Sequence, residues 1–553
     1  MPCSSAIFLI HLSALMLMSG RLFAGKKGRY CAMEGPQTQK RNTDPDWPGR
    51  RLEFFGVDWY SSQNNPHRMF TSISQTPWRS TLWLVAGVSL LHLLVIGVPE
   101  LTNDEAQYAL YGYHLDWSYF DHPPLVGWLN ALVLTISDSG FALRLWPVLF
   151  SALSALLLFG LTRELFPDEP AWLGFASAAV FESGVLFQLL GMAMLPDTPL
   201  LPLSLAAGWL LYRALNHGRL GDWLGLGLLL GLAGLSKYTA VTLVLTALLA
   251  MAWSGQWRVL RTPGPYLAIL VGALVILPVL YWNLRHDWIS IAYQLGHGSP
   301  QRDWQFSRFL VSQAGQLIAY SPGIYLFGLL AVGAGLRRPD PGTRLLLSLA
   351  LPVLLLFGWN GGYETTLLHW PALGWAALVP LIARWLAHHW HYRSVRIGAR
   401  VSAGYSVLLL LSLHLLMVMP WNPFPPNQSP LAEMRGAQQA AIHALAWRNR
   451  LDPATSPGLF VGNWSVFSRL AWYARPNPVQ VTDTRFDQSD LWYGSPAPGA
   501  DGIVIVPWKY RNRPDVSGIG KFKECRLEEE LPELMQDRPV TTYFLYTCHG
   551  YLE

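Results

Sequence analysis

The chain has 553 residues, 51% of them hydrophobic and only 14% charged, with 26 Trp, 40 Pro and 48 Gly. Soluble domains carry about 25% charged residues, so this composition excludes a disordered protein, a coiled coil and a disulfide scaffold, and favours a membrane domain with a smaller soluble one. The net charge of +5 carries no nucleic-acid signal, and four Cys are too few to form a framework.

Residues 1–78 read as an N-terminal extension. Ser5–Met18 is apolar but too short and too poorly charged for a span or a signal peptide. Gly25–Arg68 is polar and rich in Pro, Asn, Arg and Gly, a composition expected to be disordered. Met69 precedes a normal-looking first span and is an alternative true start, which would make the extension a misassigned one. Gly20–Lys27 imitates a phosphate-binding loop, but Lys27 stands where Ser or Thr is needed and no strand precedes it.

Residues 79–420 hold the apolar windows: Leu82–Val98, Leu145–Leu161, Ala171–Leu190, Leu200–Tyr212, Trp223–Leu235, Ala240–Trp253, Tyr266–Tyr281, Phe309–Val332, Leu345–Phe357, Pro371–Ala387 and Val401–Met419. They predict an α-helical polytopic membrane protein of about eleven spans, several shorter than the roughly 20 residues of a perpendicular helix. Alternate loops carry Arg163, Arg213, Arg258, Arg261, Arg337, Arg338, Arg384 and Arg393. The others carry Glu100, Asp104, Glu105, Asp121, Asp197 and Glu364. The positive-inside rule then places the acidic loops and everything after the last span on the extracytoplasmic side of the inner membrane.

Residues 421–553 change character. Strand-length runs at Gly458–Val461, Val479–Val481, Gly502–Val506 and Thr541–Tyr546, with helical stretches at Glu433–Trp447 and Val466–Tyr473, predict a small extracytoplasmic α/β domain. Cys525 and Cys548 both lie in it, where a disulfide and two separate buried thiols are equally open.

The chemistry-bearing residues gather in the outer loops. Asp104 and Glu105 open an amphipathic helix and point about 100° apart, so one can face a cleft while the other serves another group. Asn103 and Asp104 also suit a plain helix cap. Tyr119-Phe120-Asp121-His122-Pro123-Pro124 is an aromatic, acidic and imidazole stretch stiffened by two prolines. Asp197 follows Pro196 at an outer helix end, where it can cap the next helix. Lys237 ends Gly-Leu-Ser-Lys, and its bland account is snorkelling. Arg285 sits in Arg285-His286-Asp287, which also reads as a solvated turn. His369 precedes Trp370-Pro371 at the head of a span. Cations suit an anionic leaving group, and a carboxylate can take a proton from an attacking hydroxyl. A divalent metal is an open alternative, with Glu105, His122 and His369 as candidate ligands, although no ligand spacing supports it and no other cofactor is indicated.

The acidic pair after the first span, the Tyr-Phe-Asp-His-Pro-Pro-Leu loop, the Pro-Asp pair, the Gly-Leu-Ser-Lys-Tyr turn and the His-Trp-Pro segment together resemble the bacterial branch of the protein O-mannosyltransferase-like superfamily. That branch contains the aminoarabinose lipid A transferases and the lipopolysaccharide galacturonosyltransferases. The resemblance covers roughly residues 79–387. It implies a GT-C fold, a polyprenyl-phosphate sugar donor and a lipid or glycan acceptor in the envelope, lipid A among them. It also implies catalytic roles for Asp104, Glu105 and Asp197, and donor-phosphate contacts from Lys237, Arg285 and His122. His122 stands where relatives often carry Lys, which leaves the phosphate contact in question and makes Lys237 the substitute. The implied reaction is one inverting displacement at the anomeric carbon. The alternatives are a protein O-mannosyltransferase, a transporter or flippase for lipid-linked sugars, and a structural membrane protein. Glu182 is the one clear acid in mid-span.

Overall fold

The computed structural model describes residues 76–297, 302–364 and 366–552. The N-terminal extension up to residue 75, with the phosphate-loop look-alike and Met69, lies outside them.

The helices are α1 (Pro77–Val95), α2 (Asn103–Tyr113), α3 (Leu125–Leu134), α4 (Leu145–Leu165), α5 (Trp172–Glu182), α6 (Val185–Leu190), α7 (Asp197–His217) and α8 (Leu220–Ser236). They continue with α9 (Val241–Ser254), α10 (Pro263–Arg285), α11 (Ile289–His297), α12 (Phe306–Tyr320), α13 (Pro322–Arg337), α14 (Pro341–Asn360), α15 (Ala372–His389) and α16 (Arg393–Val418). Each apolar window falls on one of these helices or on a broken pair. Among the described residues five helices are long and apolar enough to cross a membrane, or six if the bent pair α12–α13 counts as one.

That pair meets at 110°. Ser321 takes φ +85° and Pro322 follows it, so the chain cannot continue helically through the joint. The window Ala171–Leu190 is likewise split, at Ser183–Gly184. Lipid-facing surface is plain: Ile269, Leu355 and Leu408 are 68%, 67% and 66% exposed, which isolated side chains of a water-facing helix would not be in such number. Leu158, Leu205 and Leu346 are fully buried between helices.

Helix ends expected on one side do meet. Arg384 pairs with Glu169 and Asp340, and Arg344 donates to the Trp253 carbonyl. At the other end of the bundle Trp282 donates to Asp116 across 2.8 Å.

The tail continues with α17 (Ala437–Arg448), α18 (Trp464–Ala474) and α19 (Gln488–Tyr493). Its strands are β1 (Gly458–Val461), β2 (Gln480–Val481), β3 (Gly502–Pro507), β4 (Phe522–Met535) and β5 (Arg538–Tyr551), in sheet order β2-β1-β3-β5-β4. The β2–β1–β3 pairs are parallel; β3–β5 and β5–β4 are antiparallel. β4 shows no apolar run in the sequence because it is an edge strand with a solvent-facing side, so Glu-rich alternation replaces one. Cys525 and Cys548 face each other on β4 and β5 and form a disulfide. The tail is seated on α2: Leu101, Ala106 and Leu110 share a buried core with Ala440, Phe467 and Leu470. Arg469 pairs with Glu100 at 2.8 Å beside that core.

Candidate active site

Helix α2 begins with a capping box. The Thr102 hydroxyl accepts from the Glu105 N–H at 3.3 Å, and Glu105 Oε2 accepts from the Thr102 N–H at 3.0 Å. The cap is therefore Thr102 rather than Asn103 or Asp104, which frees Asp104 from that duty. α2 lies hard against α3. A Cβ on Gly112 would stand 2.7 Å from the Ala131 nitrogen, and one on Gly127 2.8 Å from Tyr111 Cβ.

Adjacent Asp104 and Glu105 have opposite fates. Glu105, expected beside Asp104 in a catalytic or metal role, turns inward to Arg144, with Nε–Oε1 and Nη2–Oε2 both 2.7 Å. Burial alone would raise its pKa, but Arg144 outweighs burial and holds the carboxyl below its usual range. Asp104 stays in reach of solvent and has no hydrogen-bond partner among the described residues. Surrounding protein desolvates it and raises its pKa, with His122 pulling the other way.

The Tyr119–Pro124 loop is pinned from three sides. Tyr119 stacks on Tyr111, ring centroids 3.7 Å apart, and donates to the Tyr111 carbonyl at 2.6 Å. Gln294 of α11 donates to the Asp121 carbonyl at 2.6 Å, and Gln488 of α19 accepts from the Phe120 N–H at 2.7 Å. Asp121 accepts from the Tyr111 hydroxyl and lies 3.1 Å from His122 Nδ1. Burial would raise the Asp121 pKa; His122 and the hydroxyl lower it further than that. Asp121 lies inside the Tyr119–Pro124 motif but carries no role of its own in the sequence, where its neighbour His122 is the signal that points to it. Tyr108 likewise has no assigned role, and its ring meets His122 edge-on at 5.4 Å.

Asp197 starts α7 and Lys237 caps the end of α8. Both are buried, and Lys237 Nζ lies 2.9 and 2.7 Å from the two Asp197 oxygens. Lys237 is thus paired, not snorkelling. His369 Nε2 stands 3.5 Å from Asp197 Oδ2. Burial lowers the His369 pKa to about 4, so the ring is neutral near pH 7 and this contact is not an ion pair. Beside Asp197 is a small pocket, with room for about one water, lined by Asp197 and Thr242 but mainly by apolar groups such as Leu200, Leu201, Val353 and Leu373.

His122 joins two groups into one cluster: its charge acts on Asp104 and Asp121 on one side and on Asp197 and His369, with Lys237, on the other. Arg285 is not among them. It is exposed at the last residue of α10, while His286 stacks on Trp282 at 3.9 Å. The proposed metal ligands do not assemble: Glu105 is committed to Arg144, and the described residues contain no group of three His, Cys, Asp or Glu placed to hold an ion.

The family model for dolichyl-phosphate-mannose-protein mannosyltransferase matches residues 121–282. A lipid A galacturonosyltransferase of Rhizobium johnstonii is 26% identical over 362 residues, 64% of this chain and 74% of that one. An undecaprenyl phosphate-alpha-4-amino-4-deoxy-L-arabinose arabinosyl transferase of Pseudomonas aeruginosa is 34% identical over 404 residues, 66% of this chain and 68% of that one. The crystal structure of ArnT from Cupriavidus metallidurans bound to undecaprenyl phosphate superposes with a TM-score of 0.58 at 13% identity, covering 85% of this chain and 98% of that one. That last likeness is one of fold.

Proposed function

Because the chain belongs to the bacterial GT-C glycosyltransferase superfamily, we propose that it moves a sugar from an undecaprenyl-phosphate donor to lipid A or another envelope glycan, on the extracytoplasmic face of the inner membrane. The carrying observation is the buried Asp197–Lys237 pair, which has an ammonium N–H to spare, with the unpartnered Asp104 carboxylate in the same cluster. A polyprenyl phosphate needs a positive group for its head at the end of an apolar helix bundle, and Lys237 supplies one.

The acceptor oxygen attacks the anomeric carbon. The bond from that carbon to the donor phosphate oxygen breaks, and its electron pair leaves with the phosphate. Lys237 has three N–H donors and spends two on Asp197, so one is left for the phosphate as its charge grows. Asp197 holds the ammonium in place. His122 turns Nδ1 to Asp121, which leaves Nε2 for the same phosphate. Asp104 takes the proton of a hydroxyl acceptor; a phosphate acceptor needs no base. A single displacement inverts the anomeric centre.

The test is mass spectrometry of lipid A, envelope glycans and glycoproteins from cells with the gene, without it, and with Asp104→Asn. The expected result is loss of one sugar from lipid A on deletion, not restored by Asp104→Asn at equal protein level. In vitro the variant should lose about 10²–10⁴-fold in rate, the range of a general base. A sugar lost from a glycoprotein would transfer the reading to a protein O-mannosyltransferase. Unchanged acceptors would remove it altogether.

A further inference from the structure

The tail carries a cation that the chemistry above does not use. Arg485 lies between β2 and α19, on a segment fixed at both ends. Asp483 accepts from the Trp464 N–H at 3.1 Å and from the Arg485 N–H at 3.0 Å. Asp487 accepts from the Ser489 N–H and hydroxyl, both at 2.7 Å, and Gln488 holds Phe120. The nearby carboxylates are thus spent on the backbone and on Ser489. Asp483 feels the charge of Arg485, but the guanidinium pairs with no carboxylate among the described residues. Its one hydrogen bond there goes to the Tyr293 hydroxyl at 2.8 Å. It lies over Trp464 at 4.2 Å and beside Tyr293 at 5.7 Å.

This site is one layer from the acidic cluster. The Phe120 ring meets Tyr293 at 4.7 Å and Phe486 at 5.9 Å, and Gln294, next to Tyr293, donates to the carbonyl of Asp121, whose carboxylate lies 3.1 Å from His122. Trp464 and Phe486 are 46% and 49% exposed, so the shelf is open to an incoming molecule. A guanidinium has five N–H donors in a rigid fork that matches a carboxylate or phosphate. Here it is half-buried, placed by two aromatic rings, and left with most of that fork unspent. The donor phosphate already has its cation at Lys237.

We infer that Arg485, Tyr293 and Trp464 form a subsite for an oxyanion, phosphate or carboxylate, on the headgroup of the acceptor. The inference rests on the acceptor reading above and adds what that acceptor must carry. Arg485 binds and orients; it takes no part in bond breaking.

The experiment measures equilibrium binding, without donor, to the purified full-length protein in nanodiscs. The probes are lipid A with its phosphates, dephosphorylated lipid A, and dephosphorylated lipid A bearing acidic core sugars. Arg485→Ala, and Arg485→Gln to keep the stem over Trp464, should weaken at least one oxyanion-bearing probe by about tenfold or more, the worth of a charged hydrogen bond. They should leave neutral lipid A unaffected, and Tyr293→Phe should give a smaller loss in the same direction. Which probe responds tells phosphate from carboxylate. Equal binding by wild type and both variants overturns the inference, as does wild-type binding of neutral lipid A as tight as that of the oxyanion-bearing probes. A binding difference without sugar transfer would leave the subsite standing and remove the function. Transfer to lipid A without a binding difference would do the reverse.

Discussion

Arg144 and Lys237 are both buried cations held by a carboxylate from a neighbouring segment. Arg144 makes five hydrogen bonds: two to Glu105, and one each to the carbonyls of Ile96, Pro99 and Glu100. A guanidinium has five N–H groups, so nothing is left for a ligand. Lys237 makes two bonds, both to Asp197, and has a third N–H to give. The first pair ties the end of α1 to α2 and α4. The second sits beside apolar side chains, Leu200 and Leu201 among them. Similar pairs serve different ends, and the count of unspent donors separates them better than charge or burial does.

Four experiments break or sharpen that contrast. Glu105→Ala leaves Arg144 buried without its partner and should cost about 3–5 kcal/mol of stability, read as thermal unfolding in detergent. A stable but inactive Glu105→Ala would instead return Glu105 to the chemistry. The double variant Lys237→Met/Asp197→Asn removes both charges together, so the protein should stay folded while transfer falls about 10²–10³-fold, the cost of losing one anion donor. Unimpaired transfer by that variant would leave the pair as structure only. Asp104 gives the third test, in pH. Its pKa is raised, and a base must be ionised, so kcat/KM should fall with decreasing pH at a limb above the ordinary Asp value of about 4. A limb at or below the ordinary value would remove Asp104 as the base. The smallest effect belongs to Arg285→Ala: an exposed residue outside the cluster should change stability by about 0.5 kcal/mol or less and leave transfer intact. A large loss of transfer there would enlarge the site beyond the cluster.

Much of this was readable along the chain. Apolar runs marked every helical window, because a lipid-facing helix must be apolar for its whole length. Short runs bounded by Pro and Gly marked β1 and β3 for the parallel reason that both their faces are buried. The motif around Asp121 and His122 was visible, as were Asp197, Lys237 and His369 at helix ends of one parity. The breaks within α5–α6 and α12–α13 were not, since hydropathy averages across a kink. β4 was hidden by its own exposed face.

The assignment of roles needed three dimensions. Sequence alone determined a helical membrane protein with acids and cations at one end of its helices, because solvation by lipid dictates residue type locally. Only the tertiary structure decided that Glu105 closes on Arg144 while Asp104 stays open, that Lys237 meets Asp197 from forty residues away, and that Arg485 of the tail reaches Tyr293 of α11. Hydrogen bonds saturate at short range, and which donor reaches which acceptor depends on how the helices and the tail pack, a property no local run of residues carries.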